Sequence, residues 1–187
     1  AWGDCTLAQG DCRAAPGGED AGRRDGLEVD GQSLDLVTFY SRNLAVPARR
    51  GVDDPAVLRG KAVFHDLGCA ACHQPKFVTH RLDGQPEQSF QLIWPYSDLL
   101  LHDMGEGLAD HHPEARATGT EWRTPPLWGI GLTRTVSGHS QFLHDGRARS
   151  LLEALLWHGG EAQAARDGVV GLPRAEREAL ITFLENL

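Results

Sequence analysis

Apolar residues recur at helical spacing in four short stretches of the chain, and the long intervals between them keep no period. In the first stretch Leu34, Val37, Tyr40 and Leu44 share one face of a helix, with Ser33 the expected N-cap and Pro47 the terminator. In the second, Asp54 followed by Pro55 is a strong helix start, and Val57, Gly60 and Phe64 line one face as far as about Asp66. In the third, Ser150 and Glu153 form a capping box that opens a helix to about His158, where Gly159 and Gly160 stop it. The fourth starts near Pro173 and aligns Leu180, Phe183 or Leu184, and Leu187, with Arg174, Glu176, Arg177, Glu178 and Glu185 turned outward. From Gln74 to Ser140 glycine, proline, tryptophan and histidine are scattered without period, which predicts loops and at most a helical turn over Ser97 to Asp103. Residues 1 to about 31 read as an irregular arm, and Ala48 to Asp54 as a linker. The expectation is an all-α fold with long loops.

The chain has 187 residues, enough for one domain with a core or for a small domain plus an appended piece. A net charge of −8 excludes nucleic acid as a partner, because a phosphate backbone needs a basic face. No apolar run reaches the roughly 18 residues of a membrane span; the longest, at Leu99 to Leu101, is broken by His102 and Asp103. Ala1-Trp2-Gly3-Asp4-Cys5 has neither the basic nor the apolar region of a signal peptide, so a processed product or an excised fragment is expected.

Candidate chemistry changes the picture most at Cys69-Ala70-Ala71-Cys72-His73. Two thiols one helical turn apart can add to the two vinyl groups of one haem, and the adjacent histidine then lies beneath the ring as proximal ligand. A thioredoxin-like dithiol would need a βαβ setting, and a zinc site a second Cys/His pair at suitable spacing; neither is present. The motif therefore predicts a class I cytochrome c-like fold around one covalent c-type haem. The two other cysteines, Cys5 and Cys12, sit in a Gly- and Asp-rich stretch and are read as a disulfide, with free thiols the alternative.

With four iron positions taken by the porphyrin and a fifth by His73, the sixth falls to methionine, histidine or water. Met104 is the single methionine, and its polar, glycine-rich setting (Leu101-His102-Asp103-Met104-Gly105-Glu106-Gly107) suits ligation better than core filling. His102 is its chief rival, whereas His111 and His112 read as solvated loop. Arg123 and Arg134 can offer bidentate hydrogen bonds to the haem propionates, or else are ordinary surface charges; indole N–H groups of Trp94, Trp122 and Trp128 could do likewise. Phe77, Trp94, Tyr96, Leu127, Trp128 and Phe142 are the expected pocket wall.

The run Glu121-Trp122-Arg123-Thr124-Pro125-Pro126-Leu127-Trp128-Gly129, followed by Phe142-Leu143-His144-Asp145-Gly146-Arg147-Ala148, resembles the C-terminal haem domain of bacterial di-haem cytochrome c peroxidases. A closer resemblance is to the di-haem oxidoreductase (putative peroxidase, thiol oxidoreductase-like) family. Leu44 to Arg49, Tyr96 to Gly105 and Trp157-His158-Gly159-Gly160-Glu161-Ala162 carry it, together with the two runs just named. The resemblance covers nearly the whole chain and counts Pro125 and Trp128 among the haem-binding residues. It implies two haem domains in a periplasmic or exported protein, yet this chain has a single C-x-x-C-H. Residues 51–187 are therefore expected to be the C-terminal haem domain, and residues 1–50 an arm and helix from the tail of a preceding one. In the peroxidase relatives that haem is the His/Met electron-entry site, which implies electron transfer with a second haem domain or a small redox protein. Two alternatives stand beside it. One is a free-standing monohaem carrier steered by its acidic surface to a basic partner. The other is a haem enzyme or sensor with an open or labile sixth site, using His144, Glu161 or Glu106 as acid/base groups.

Overall fold

In the computed structural model, which describes residues 29–187, polar caps decide where the helices begin. Helix α1 (Gly31–Arg42) is capped by Asp30 rather than by Ser33. Ser33 lies inside the helix, and its N–H and hydroxyl both donate to the Asp30 carboxylate at 2.8 Å. The helix closes at Asn43, ahead of Pro47. It belongs to a unit made of Ala1–Val46 and Pro113–Thr118, and none of its side chains is buried. Cys5 and Cys12 lie outside the described residues.

The second unit comprises Pro47–His112 and Gly119–Leu187. Here α2 (Pro55–Asp66) starts on the Asp54 carboxylate, which accepts the Ala56 N–H at 2.7 Å, with Pro55 in the first turn. It packs on the C-terminal helix α6 (Arg174–Glu185), burying Val57, Val63 and Phe64 against Leu180, Phe183, Leu184 and Leu187. Each such side chain contributes about 1.5–3 kcal/mol of transfer free energy, opposed by the entropy of ordering the chain. Gly60 makes the crossing possible, because a Cβ there would collide with the Ala179 carbonyl. Between these helices in sequence come α3 (Thr133–Ser137), α4 (Leu151–Trp157) and α5 (Gln163–Gly171). Ser150 caps α4 by accepting the Glu153 N–H at 3.1 Å, and Val169 of α5 joins the core.

The all-α expectation is corrected by two antiparallel two-stranded sheets. Strands β1 (Phe77–Val78) and β2 (Leu92–Ile93) pair Phe77 with Ile93 and Val78 with Leu92. Strands β3 (Leu101–Asp103) and β4 (Glu121–Arg123) pair His102 with Trp122. The expected helical turn at Ser97 to Asp103 is thus replaced by backbone that ends in β3. Strands of two or three residues are too short to print an alternating pattern, so the segment read as unperiodic loop contains both sheets. The architecture is mixed, with a helical core and small sheets inside the long loops.

Candidate functional site

Helix α2 delivers the chain, through Gly68 at φ +78°, into a tight turn over Cys69–Ala71. The His73 N–H donates to the Cys69 carbonyl at 2.9 Å, so Cys69, Cys72 and His73 occupy one helical turn. Both cysteines are free thiols, and both line a cavity of about 360 Å³ that lies wholly within the second unit. Burial pushes the Cys69 thiol up to about 11 and raises Cys72 as well, the latter with help from Asp98 and Glu161.

His73 opens on the same cavity, and Phe64 packs behind it with ring centroids 6.3 Å apart. Its Nδ1 lies 3.0 Å from the Tyr96 carbonyl oxygen. A carbonyl can only accept, so Nδ1 carries the proton and Nε2 keeps its lone pair. Burial holds the ring neutral, with its pKa lowered to about 4. Tyr96 is fully buried and adopts φ +53°, a conformation held by Ser97 N–H donating to Gln74 and Asp98 N–H to Cys72. That backbone aims the carbonyl at the imidazole.

Met104 follows β3 and lines the cavity, its N–H bonded to the Thr120 carbonyl at 2.9 Å. His102 is committed elsewhere. Its Nε2 meets Asp98 Oδ2 at 2.8 Å and its Nδ1 meets Glu161 Oε2 at 2.9 Å. Both nitrogens must donate to carboxylates, and these bonds, Glu161 first, raise the His102 pKa. Neither nitrogen is left for a metal. Glu161 also accepts the Asp103 N–H at 3.0 Å, and so clamps β3 to the turn after α4. Gly160 fits beneath this clamp because a Cβ there would run into the Asp103 carbonyl.

The remaining expected residues separate. Arg123, Pro125, Leu127 and Phe142 line the cavity; Arg134, Trp128, Phe77 and Trp94 do not, and His111 and His112 lie exposed away from it. The Trp122 indole N–H is spent on the Leu108 carbonyl at 2.9 Å, while its ring stacks on His144 at 4.4 Å. Glu106 is exposed and off the cavity wall, whereas His144 and Glu161 line it. His144 is held low in pKa by burial and by Arg123.

One further wall residue stands outside the ligands and propionate partners expected from the sequence, where it marks a helix end and belongs to a resemblance motif. His158 follows α4, lines the cavity, and donates from Nδ1 to the Ala154 carbonyl at 2.8 Å. Burial lowers its pKa too. Its signal was present in the sequence: Leu151, Ala154, Leu155 and His158 fall at i, i+3, i+4 and i+7, and all four line the cavity.

Comparison with protein families supplies the wider identity. The profile of the family described as "Di-haem oxidoreductase, putative peroxidase" matches residues 13–187, and the chain belongs to that family. No curated protein and no solved structure matches the chain. The family implies a haem cofactor and redox chemistry. The site suits such a group: its wall is mostly apolar, it presents two thiols, and beside them stands an imidazole whose Nε2 is unprotonated. No described helix is long and apolar enough to cross a membrane.

Proposed function

We propose that the second unit is a c-type haem domain that relays electrons within a di-haem oxidoreductase. The observation that carries this reading is His73, fixed by the Tyr96 carbonyl beside Cys72 in the wall of an apolar cavity. Cys69 and Cys72 would hold the haem, each thiol adding across one vinyl group with sulfur bonding to one carbon and the thiol proton going to its neighbour, so that no oxidant would be needed. His73 Nε2 would be the group that holds the iron, with the Tyr96 carbonyl on Nδ1 orienting the ring and raising its basicity. When bound, the haem supplies reversible one-electron chemistry.

The chain's own residues do the rest. Leu127, Phe142, Leu151 and Val169 keep water from the cavity, and Arg123 at the wall offers a guanidinium to a propionate. Met104 and His158 line the same cavity and would be candidates to close the sixth position of a bound haem. A closed site favours relay over peroxide binding. The partner is a second haem domain or a small redox protein, and the compartment is the periplasm or the exterior, where proteins with covalent haem work. The lining residues all fall between Phe64 and Leu184, which supports residues 51–187 as the haem domain.

Optical spectra of the purified ferric protein, with and without cyanide or peroxide, test the relay reading. A low-spin spectrum that changes only slowly on addition is expected. Immediate binding of either ligand would favour a catalytic or sensing haem with an open site instead.

A further inference from the structure

The sixth ligand can be assigned from the two histidines that share the cavity. The rings of His73 and His158 stand 6.5 Å apart, centroid to centroid, with 48° between their planes. An imidazole nitrogen binds a first-row metal at about 2.0–2.1 Å, and its ring centroid lies about 1.1 Å further back, so two imidazoles facing across one metal have centroids roughly 6.3 Å apart. The observed separation of 6.5 Å is close to that spacing. The angle is no obstacle, because each ring turns about its own metal–nitrogen bond.

The two rings are also prepared alike. His73 gives its Nδ1–H to the Tyr96 carbonyl, and His158 gives its own to the Ala154 carbonyl. Among the described residues neither Nε2 has a hydrogen-bond partner, and both rings line the cavity. A backbone carbonyl on the far nitrogen is the usual second-shell arrangement of a ligating histidine, fixing both tautomer and aim.

The rivals are less prepared. His102 has both nitrogens on carboxylates. His144 lies flat on Trp122 beside Arg123, whose charge opposes a nearby cation. Met104 reaches the wall just after a three-residue strand, and its only hydrogen bond among the described residues is the backbone one to Thr120, whereas a thioether has three rotatable torsions to place. His158 instead continues the cavity-facing stripe of α4, whose register is set by the Ser150 cap and by buried Leu151.

We propose that His158, rather than Met104, supplies the sixth ligand opposite His73. The proposal rests on the haem reading above. It makes the centre a bis-imidazole haem with a potential below that of a His/Met centre, because a thioether favours the ferrous state and a second imidazole does not. Met104 is then a wall residue that packs against the haem edge.

The test uses the haem-loaded full chain. Electron paramagnetic resonance and near-infrared spectra of the unaltered ferric protein should show a bis-imidazole low-spin signature and no thioether-to-iron charge-transfer band. Such a band would overturn the proposal. H158A should turn the iron high-spin and open it to cyanide, with added imidazole restoring the low-spin spectrum. H158M should gain the charge-transfer band and move the midpoint potential upward. M104L, which keeps the volume, should leave the iron low-spin with its bis-imidazole signature. If M104L lost the low-spin state and H158A kept it, His158 would be excluded while the relay reading stood. Release of the haem from the unaltered protein on denaturation would defeat the haem-attachment reading itself, a separate outcome.

Discussion

On the helical wall of the cavity, Phe64, Leu151, Val169 and Leu184 hold position by packing into one continuous core. On the loop wall, Met104, Trp122 and Thr124 are held by hydrogen bonds and short clamps rather than by the core. The Met104 N–H meets Thr120, the Trp122 indole meets Leu108, and the Thr124 carbonyl accepts from Ser97 Oγ at 2.7 Å. Packing is redundant and insensitive to pH, whereas clamps are local and, where a histidine takes part, titratable. The contrast extends to the histidines. His73 and His158 are fixed by neutral carbonyls and held toward the uncharged form by burial, which leaves each Nε2 with its lone pair. His102, fixed by two carboxylates, is favoured in its charged form and is structural.

The helical wall breaks hardest. Phe183 is fully buried between Phe64 and Tyr96, so Phe183→Ala should destabilise the fold by about 3–5 kcal/mol and loosen the backing of His73 as well. Thermal denaturation followed at a haem band would check both effects. A loss below about 1 kcal/mol would mean that α2 and α6 do not anchor the site.

A single clamp on the loop wall should cost less. Ser97 is fully buried, donating to Thr124 and accepting the Leu99 N–H at 2.9 Å. Ser97→Ala leaves those backbone groups unpaired, at about 1–3 kcal/mol by chemical denaturation. It should also perturb the His73 environment, since the neighbouring Tyr96 carbonyl orients that ring.

The smallest effect depends on pH. Because the His102 pKa is raised in the fold, its ion pairs stabilise fully below about pH 6.5 and fade as the pH rises through the raised value. His102→Gln removes that titration. The melting temperature of the unaltered protein should therefore fall relative to the variant as pH is raised through that window. Parallel curves would show that the Asp98–His102–Glu161 clamp carries no charge.

The same contrast governs what could be read from sequence. Helices α2, α4 and α6 were legible because Asp54, Ser150 and Pro173 mark their starts and their apolar faces repeat. Cys69, Cys72 and His73 were legible because they sit within one turn. The loop wall was not. Strands β1 to β4 are too short to show a period, and the Leu99 to Leu101 run imitated a helical turn. The Asp98–His102–Glu161 clamp joins a pair four residues apart to Glu161, 59 positions beyond His102, with no local pattern to announce that partner. His158 was the opposite case. Its spacing from Leu151, Ala154 and Leu155 marks the cavity side of α4, and the glycines after it mark the helix end, where His158 is the C-cap.

The most direct test of the central claim is the intact mass of the purified protein under denaturing conditions, after production alongside cytochrome c maturation machinery. Two thioethers, at Cys69 and Cys72, predict a mass one haem above that of the bare chain, returning to the chain mass alone in the Cys69→Ala, Cys72→Ala double variant. A bare-chain mass for the unaltered protein, with haem set free, would contradict the account.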